Sequence, residues 1–227
     1  MKNLIFCFAT ALNLWACAPK EPAGPTANPT DPELLHQSVK RLTDVIVYDI
    51  FTPPVASRIY AYSTLAAYEA GRFEDKNAAA ITAKLNGFAP MPQPMAGQSY
   101  SYPVAGLKAF LTVAQRLTFS KDTIKQFEEN LLARLKPSLD AATMQRSLDL
   151  GEKVALVVLE RASRDQYKET RGLERYTVTE QTGYWQPTTP DYADAVEPHW
   201  GKMKTLALDS AAQCTTEGPI AFNLGKD

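Results

Sequence analysis

Apolar residues recur at helical spacing from Leu35 through Val39, Leu42 and Ile46, the one-faced repeat of a helix packed on a core. Asp31, Pro32 and Glu33 supply a cap, a first-turn proline and an acidic first turn ahead of it, so a helix is expected from about Asp31 to about Ile50. Thr52 and Pro53 restart the pattern. The run IYAYSTLAAY, Ile59 to Tyr68, carries no charge and predicts a helix buried on most sides, with Gly71 as its stop. Residues 88–103, FAPMPQPMAGQSYSYP, hold too many prolines for regular structure and read as a surface connection. A third helix is expected over Val104–Phe119. Ser120 should cap a fourth, KDTIKQFEENLLARL, halted by Pro137. Ser138 opens the longest helical stretch, expected to reach about Glu169. Within it VALVVL, Val154 to Leu159, is apolar on every face and should lie inside a bundle. Met203 to Ala212 has the pattern of a last short helix. No internal repeat and no series of alternating strands interrupts this reading. The expected fold class is all-α: a bundle-like packing of about five or six helices with a proline- and aromatic-rich C-terminal segment.

That segment stands out. GYWQPTTPDYADAVEPHWG, residues 183–201, concentrates two of the three tryptophans and one of the two histidines. Two readings of it are open. Exposed rings of Tyr184, Trp185, Tyr192 and Trp200 would form a stacking platform for sugars, whereas buried rings would clamp an irregular segment onto the helices. The clamp is preferred, because prolines between the aromatics reduce the entropy lost when the segment docks.

Composition adds an address more than a chemistry. The chain has 227 residues, 45% of them apolar, and a formal net charge of -1. It is long enough for a core of its own, and no basic excess points to nucleic acid. Lys2 followed by LIFCFATALNLWA, Leu4 to Ala16, is too short to span a bilayer and suits a signal peptide. LWAC, Leu14 to Cys17, resembles a bacterial lipoprotein cleavage box, so residues 1–16 are expected to be removed and Cys17 to be lipidated. The protein would then be held by a membrane anchor at the bacterial cell envelope, on its periplasmic or surface side. Residues 17–30 form a proline-rich tether in this reading, and residues 31–227 the helical domain. With Cys7 lost and Cys17 acylated, Cys214 has no partner and stability must come from packing.

The search for chemistry yields little. His36 and His199 are far apart in sequence, and neither has a second ligand at metal-binding spacing. No glycine-rich phosphate loop, nucleophile elbow or dinucleotide fingerprint occurs. Arg58 and Glu69 flank the uncharged run and fall on nearly the same helical face, where they would either line a polar pocket or pair with neighbouring helices, the second being favoured. Asp44 and Asp49 point to different sides of their helix and make no acid and base pair. Asp191 and Asp194, near His199, read as solvated acids in a proline turn rather than as a ligand loop.

A family resemblance comes from the longer motifs. DVIVYDIFTPPVASRIYAYSTLAAYEA, Asp44 to Ala70, then GYWQPTTPDYADAVEPHWG and LALDSAAQ, Leu206 to Gln213, resemble the amino-terminal half of secreted bacterial members of the type 2 phosphatidic acid phosphatase and vanadium-dependent haloperoxidase superfamily. The resemblance implies that Trp185, Pro187, Pro190, Pro198 and Trp200 mark the junction leading toward the catalytic half. In that superfamily the anion pocket is made by a Lys and Arg-Pro motif, a Pro-Ser-Gly-His motif and a Ser-Arg motif with His and Asp. None of the three occurs in this sequence, so no catalytic or metal residue carries over. The chain is therefore expected to be an inactive, truncated amino-terminal helical part. Vanadate or phosphate would belong only to a complete homologue, which would hydrolyse phosphomonoesters or oxidise halides with peroxide. Its expected partners are the missing C-terminal half, or further copies associating through an exposed apolar face around Val154 to Leu159. The alternatives are a non-enzymatic helical surface lipoprotein that binds sugars or other nutrients, and an assembly scaffold.

Overall fold

The computed structural model describes residues 24–181 and 183–218. The expected signal sequence and Cys17 lie outside the described residues. Helices α1 (Glu33–Tyr48), α2 (Pro53–Gly71), α3 (Tyr102–Leu117), α4 (Lys121–Leu135) and α5 (Ala141–Ser163) are followed by a single turn, α6 (Tyr167–Thr170). No strand occurs among the described residues, and the all-α expectation holds.

The most enclosed helix is α3 rather than α2, because α3 packs against α1, α2, α4 and α5. Its sequence supplies apolar side chains on nearly every face, from Val104 and Ala105 to Val113 and Ala114. On one side Phe110 and Leu111 meet Leu42, Ile124, Leu131 and Leu135. Each of these side chains contributes about 1.5–3 kcal/mol by leaving water. On the other side the residues are small: Ala66, Ala70, Ala105, Ala109 and Ala155, with Val154 and Val158. Small side chains let the three backbones of α2, α3 and α5 approach closely. Two glycines set the approach. A Cβ on Gly106 would lie 3.0 Å from the Ala67 carbonyl oxygen of α2, and one on Gly151 would overlap the Ala105 carbonyl oxygen of α3.

The helix ends differ from the sequence expectations for identifiable reasons. α1 stops at Tyr48, two residues early, in a turn that places Ile50 at φ 55°. There Phe51 N–H donates to Ile46 O, at 3.1 Å. Glycine usually fills this left-handed position; a β-branched side chain there costs about 1–2 kcal/mol. Ser120 does not cap α4 with its own side chain. Asp49 does so from the end of α1: its Oδ2 accepts Phe119 N–H at 2.9 Å and Ser120 N–H at 3.0 Å, and Ser120 Oγ donates to Oδ1. A carboxylate on those free N–H groups also meets the positive end of the helix dipole.

The start of α5 belongs to Asp140, whose side chain accepts Thr143 N–H at 2.9 Å, and Ser138 instead donates its hydroxyl to Ala27 O. That N-cap bond lowers the Asp140 pKa. α5 ends at Ser163 rather than Glu169, because Gln166 turns left-handed, at φ 72°, before α6. Within VALVVL, Val154 and Val158 are buried but Leu156 is half exposed, so this stretch lies on the rim of the bundle, with one face outward. The short helix expected over 203–212 does not form. Residues 204–208 are irregular, with bends from 206 on, and the Lys204, Thr205, Leu206 and Leu208 carbonyl groups accept from other elements, as described below. The expected tether also changes character: Ala27 is buried, its N–H donates to Arg134 O at 3.0 Å, and Arg134 Nε donates to Pro25 O at 3.2 Å. Residues 25–27 are thus part of the packed body.

Candidate functional site

The N-terminus of α2, the C-termini of α3 and α5, and the aromatic segment meet at one end of the bundle. Three oppositely and similarly charged side chains are buried there. Arg58 of α2 donates from Nε to Asp165 Oδ2 at 2.7 Å and from Nη2 to Ala162 O at 2.9 Å. Tyr62, one turn along α2, donates its hydroxyl to the same Asp165 Oδ2 at 3.0 Å, and Tyr167 N–H donates to Oδ1 at 3.0 Å. Asp165 therefore closes the gap between α5 and α6 with both carboxylate oxygens accepting from donors, three in all. The Arg58 guanidinium also lies 4.5 Å from the centre of the Tyr167 ring, a favourable stack.

Arg161, on the last turn of α5, is the second buried cation. Among the described residues it has no carboxylate within ion-pair distance. Its Nε donates to Asn86 O at 2.7 Å, Nη1 to the Tyr62 hydroxyl at 3.2 Å, and Nη2 to Lys204 O at 3.2 Å and Thr205 O at 3.1 Å. Carbonyl dipoles thus replace a counter-ion. The arrangement pins two irregular segments onto α5, and further bonds tie them to each other and to α5: Asn86 N–H to Leu206 O at 2.8 Å, Asn86 Nδ2 to Leu208 O at 2.8 Å, and Lys204 N–H to Asp165 O at 2.9 Å. Beside it lies an open cleft of about 450 Å³ bordered by Arg161, Arg164, Lys204 and Asp209.

Burial, followed by the charge of Asp165 and its hydrogen bond, pushes the Tyr62 phenol well above the ordinary range, against the opposing pull of Arg161 and Arg58. A raised folded-state value means that the contribution to stability is complete below the unfolded-state value of about 10 and is lost as pH rises through the folded-state one. Stability of the chain should therefore fall as pH is taken above about 10. In Tyr62→Phe this part of the alkaline slope should shrink, at a cost near neutral pH of about 1–2 kcal/mol for the lost hydroxyl bonds. Denaturant melts of both proteins between neutral and alkaline pH check this.

The sequence-selected residues are not brought together in one place. Arg58 is in the buried network, whereas Glu69 sits at the far end of α2, buried, accepting Thr82 N–H at 2.8 Å and Thr82 Oγ1 at 2.9 Å and paired with Arg72 at 3.0 Å. Each pairs with a charge of opposite sign, Arg58 with Asp165 beyond α5 and Glu69 with Arg72 at the end of its own helix, and the two are not brought into one pocket. Asp44 pairs with Lys40 on the surface, and Asp49 is the α4 cap. His36 is exposed and 3.4 Å from Glu33. His199 places Nε2 2.6 Å from Glu174 O. Among the described residues no group of three or more His, Cys, Asp or Glu is placed to hold a metal, and no described helix is long and apolar enough to cross a membrane.

The two indoles of the aromatic segment part company. Trp200 packs against the core beside Tyr167, ring centres 6.4 Å apart. Trp185 is 48% exposed, edge-on to Tyr176 at 5.6 Å, with Tyr184 and Tyr192 also open to solvent. The expectation that the rings are tucked inward holds for Trp200 and fails for Trp185. Trp185, Pro190 (after a cis bond to Thr189), Asp191, Asp194, Val196 and Pro198 border a shallow cavity of about 630 Å³. Pro187, the remaining junction residue, is two positions beyond Trp185. Sequence reasoning missed Asp165 and Arg161, the centre of the network. Asp165 followed by Gln166 and Tyr167 gave no break signal of the glycine or proline kind.

The comparisons with known proteins follow this geometry. No family model matches the chain, and no curated protein does. Among solved structures, a bacterial vanadium-dependent iodoperoxidase superposes with a TM-score of 0.79 at 36% sequence identity, over 85% of this chain. The chain spans about half the length of that relative, 46% of it. With a shared helical architecture and more than a third of aligned residues identical, the helical body belongs to the vanadium-dependent haloperoxidase and type 2 phosphatidic acid phosphatase superfamily.

Proposed function

We propose that these residues are the helical scaffold of a longer haloperoxidase- or phosphatase-like protein, and that the anion chemistry is supplied by residues outside this sequence. The observation that carries the reading is the mismatch of coverage: 85% of this chain aligns with the iodoperoxidase, but only 46% of that protein is accounted for. The chemistry of the described residues agrees with it. Vanadate or phosphate needs several unengaged cationic donors around one point and a histidine beside them. Arg58 is closed by Asp165 and Ala162, and Arg161 by four oxygen acceptors. Both histidines are engaged elsewhere. The group does not fit these residues, and no step is derived through it.

The expected result is that the purified 227-residue chain turns over neither a phosphomonoester nor iodide with peroxide and added vanadate at a rate above that of buffer. Turnover that survives repurification would overturn the proposal. In the same reading the chain is anchored at the cell envelope through acylated Cys17. A lipid mass on the mature N-terminus, abolished in Cys17→Ser, tests that part.

A second reading has one observation in its favour. Trp185 is half exposed at the rim of a cavity that also presents Asp191 and Asp194, which suits stacking on a sugar ring. Saturable quenching of tryptophan emission by neutral oligosaccharides, lost in Trp185→Ala, would favour a non-enzymatic surface lipoprotein.

A further inference from the structure

Four large apolar side chains stand out in water at one corner of the bundle: Val47 at 71% exposure, Tyr48 at 79%, Ile50 at 87% and Phe119 at 76%. The last two residues of α1 and the turn after it contribute three, and the α3–α4 turn the fourth. The corner is built to be rigid. Asp49 locks the two turns together through its three hydrogen bonds to Phe119 and Ser120, and Phe51 stacks on Phe119 with ring centres 4.8 Å apart. Ile50 holds the left-handed conformation that glycine adopts freely and a β-branched residue does not. A side chain that strains the backbone and gains nothing from burial contributes nothing to this chain alone. Exposed apolar side chains gathered on two linked turns mark an interaction site.

We infer that the Val47, Tyr48, Ile50 and Phe119 corner is the seat of an apolar-faced helix from the portion of the longer protein that this chain does not include. This rests on the scaffold reading above. The occupant follows from the coverage: more than half of the iodoperoxidase chain has no counterpart here, and it must pack on the shared part somewhere. The corner is also continuous with the end of the bundle where the aromatic segment lies, since Thr52 Oγ1 donates to Glu197 Oε1 across that boundary at 3.3 Å.

The test compares two preparations by hydroxyl-radical footprinting read by mass spectrometry: the native gene product isolated from its source envelope, and the recombinant 227-residue chain. In the native product, at a solution mass of one polypeptide, Tyr48 and Phe119 should be labelled at least about fivefold more slowly than in the recombinant chain. Tyr68, on the opposite end of α2, should be labelled equally in both. Equal labelling of Tyr48 and Phe119 in a native product longer than 227 residues would overturn this inference and leave the scaffold reading intact. A native product that is itself no longer than this chain would overturn both. Protection seen only when the native product is a dimer or is bound to vesicles would assign the corner to a second copy or to lipid, and would also overturn it. As an independent check, Ile50→Gly should leave the melt of the recombinant chain unchanged or raise it, while in the native-length protein it should lower it. A fall in both would mean that Ile50 serves only the local turn.

Discussion

Asp165→Ala should lower the stability of the chain by about 3–5 kcal/mol, the usual cost of leaving a buried cation without its partner. For a folded body of this size that is a fall of roughly 10 °C in melting temperature. The magnitude follows from what the carboxylate does: it is the only acid on Arg58 among the described residues, Arg58 is 9% exposed, and the carboxylate also accepts the Tyr62 hydroxyl and the Tyr167 N–H. Removing it leaves three donors pointing into a space with little water. The converse variant separates charge from packing. Replacing both partners, Arg58→Met with Asp165→Asn, removes the uncompensated ion and keeps an acceptor for Tyr167, so it should recover at least half of the loss. Thermal and denaturant melts of the two single variants and the double variant check this. A double variant as unstable as the sum of the singles would show that the pair is not coupled.

Gly151→Ala should destabilise the chain by about 2 kcal/mol or more, although alanine is the better helix former by about 1 kcal/mol. Besides the overlap with the Ala105 carbonyl oxygen, the added methyl would stand 2.8 Å from Lys108 Cβ. Neither contact is a flexible side-chain end that can swing away, so α3 and α5 must separate. That separation would also disturb the pairing of Lys108 with Glu128 at 2.9 Å and Glu152 at 3.2 Å. Burial alone would lower the Lys108 pKa, but its bonds to these two carboxylates prevail and raise it. Gly106→Ala is the graded comparison, since its Cβ would meet the Ala67 carbonyl oxygen at 3.0 Å and should cost less. Unchanged or raised melting in Gly151→Ala would mean that the helices are less closely packed than described.

What could be read from the sequence was whatever is written in local repeats. The apolar spacing of α1, the uncharged run of α2 and the proline stops gave the helices to within a few residues. Devices that depend on a distant partner were not visible. Asp49 carried no sign of its capping role because its targets, Phe119 and Ser120, are about seventy positions away. The expected last helix over 203–212 failed for the same reason, because Lys204 and Thr205 carbonyl groups are taken by Arg161, and the Leu206 carbonyl by Asn86. Local propensity cannot anticipate a hydrogen-bond partner supplied by another element. The aromatic segment was legible as a packed irregular piece at Trp200. It was not legible at Trp185, since nothing in composition distinguishes an indole that docks from one that faces solvent. As for the site, the sequence singled out Arg58, but the acid and the second arginine that complete the buried network emerged only from the fold.

The central claim is that this helical body scaffolds a haloperoxidase-like protein without itself holding the anion. Titrating the purified 227-residue chain with orthovanadate, followed by vanadium-51 NMR, addresses it most directly. The account predicts a spectrum indistinguishable from vanadate in buffer up to millimolar concentrations. A distinct bound resonance that saturates at one vanadate per chain, and that phosphate displaces, would contradict it.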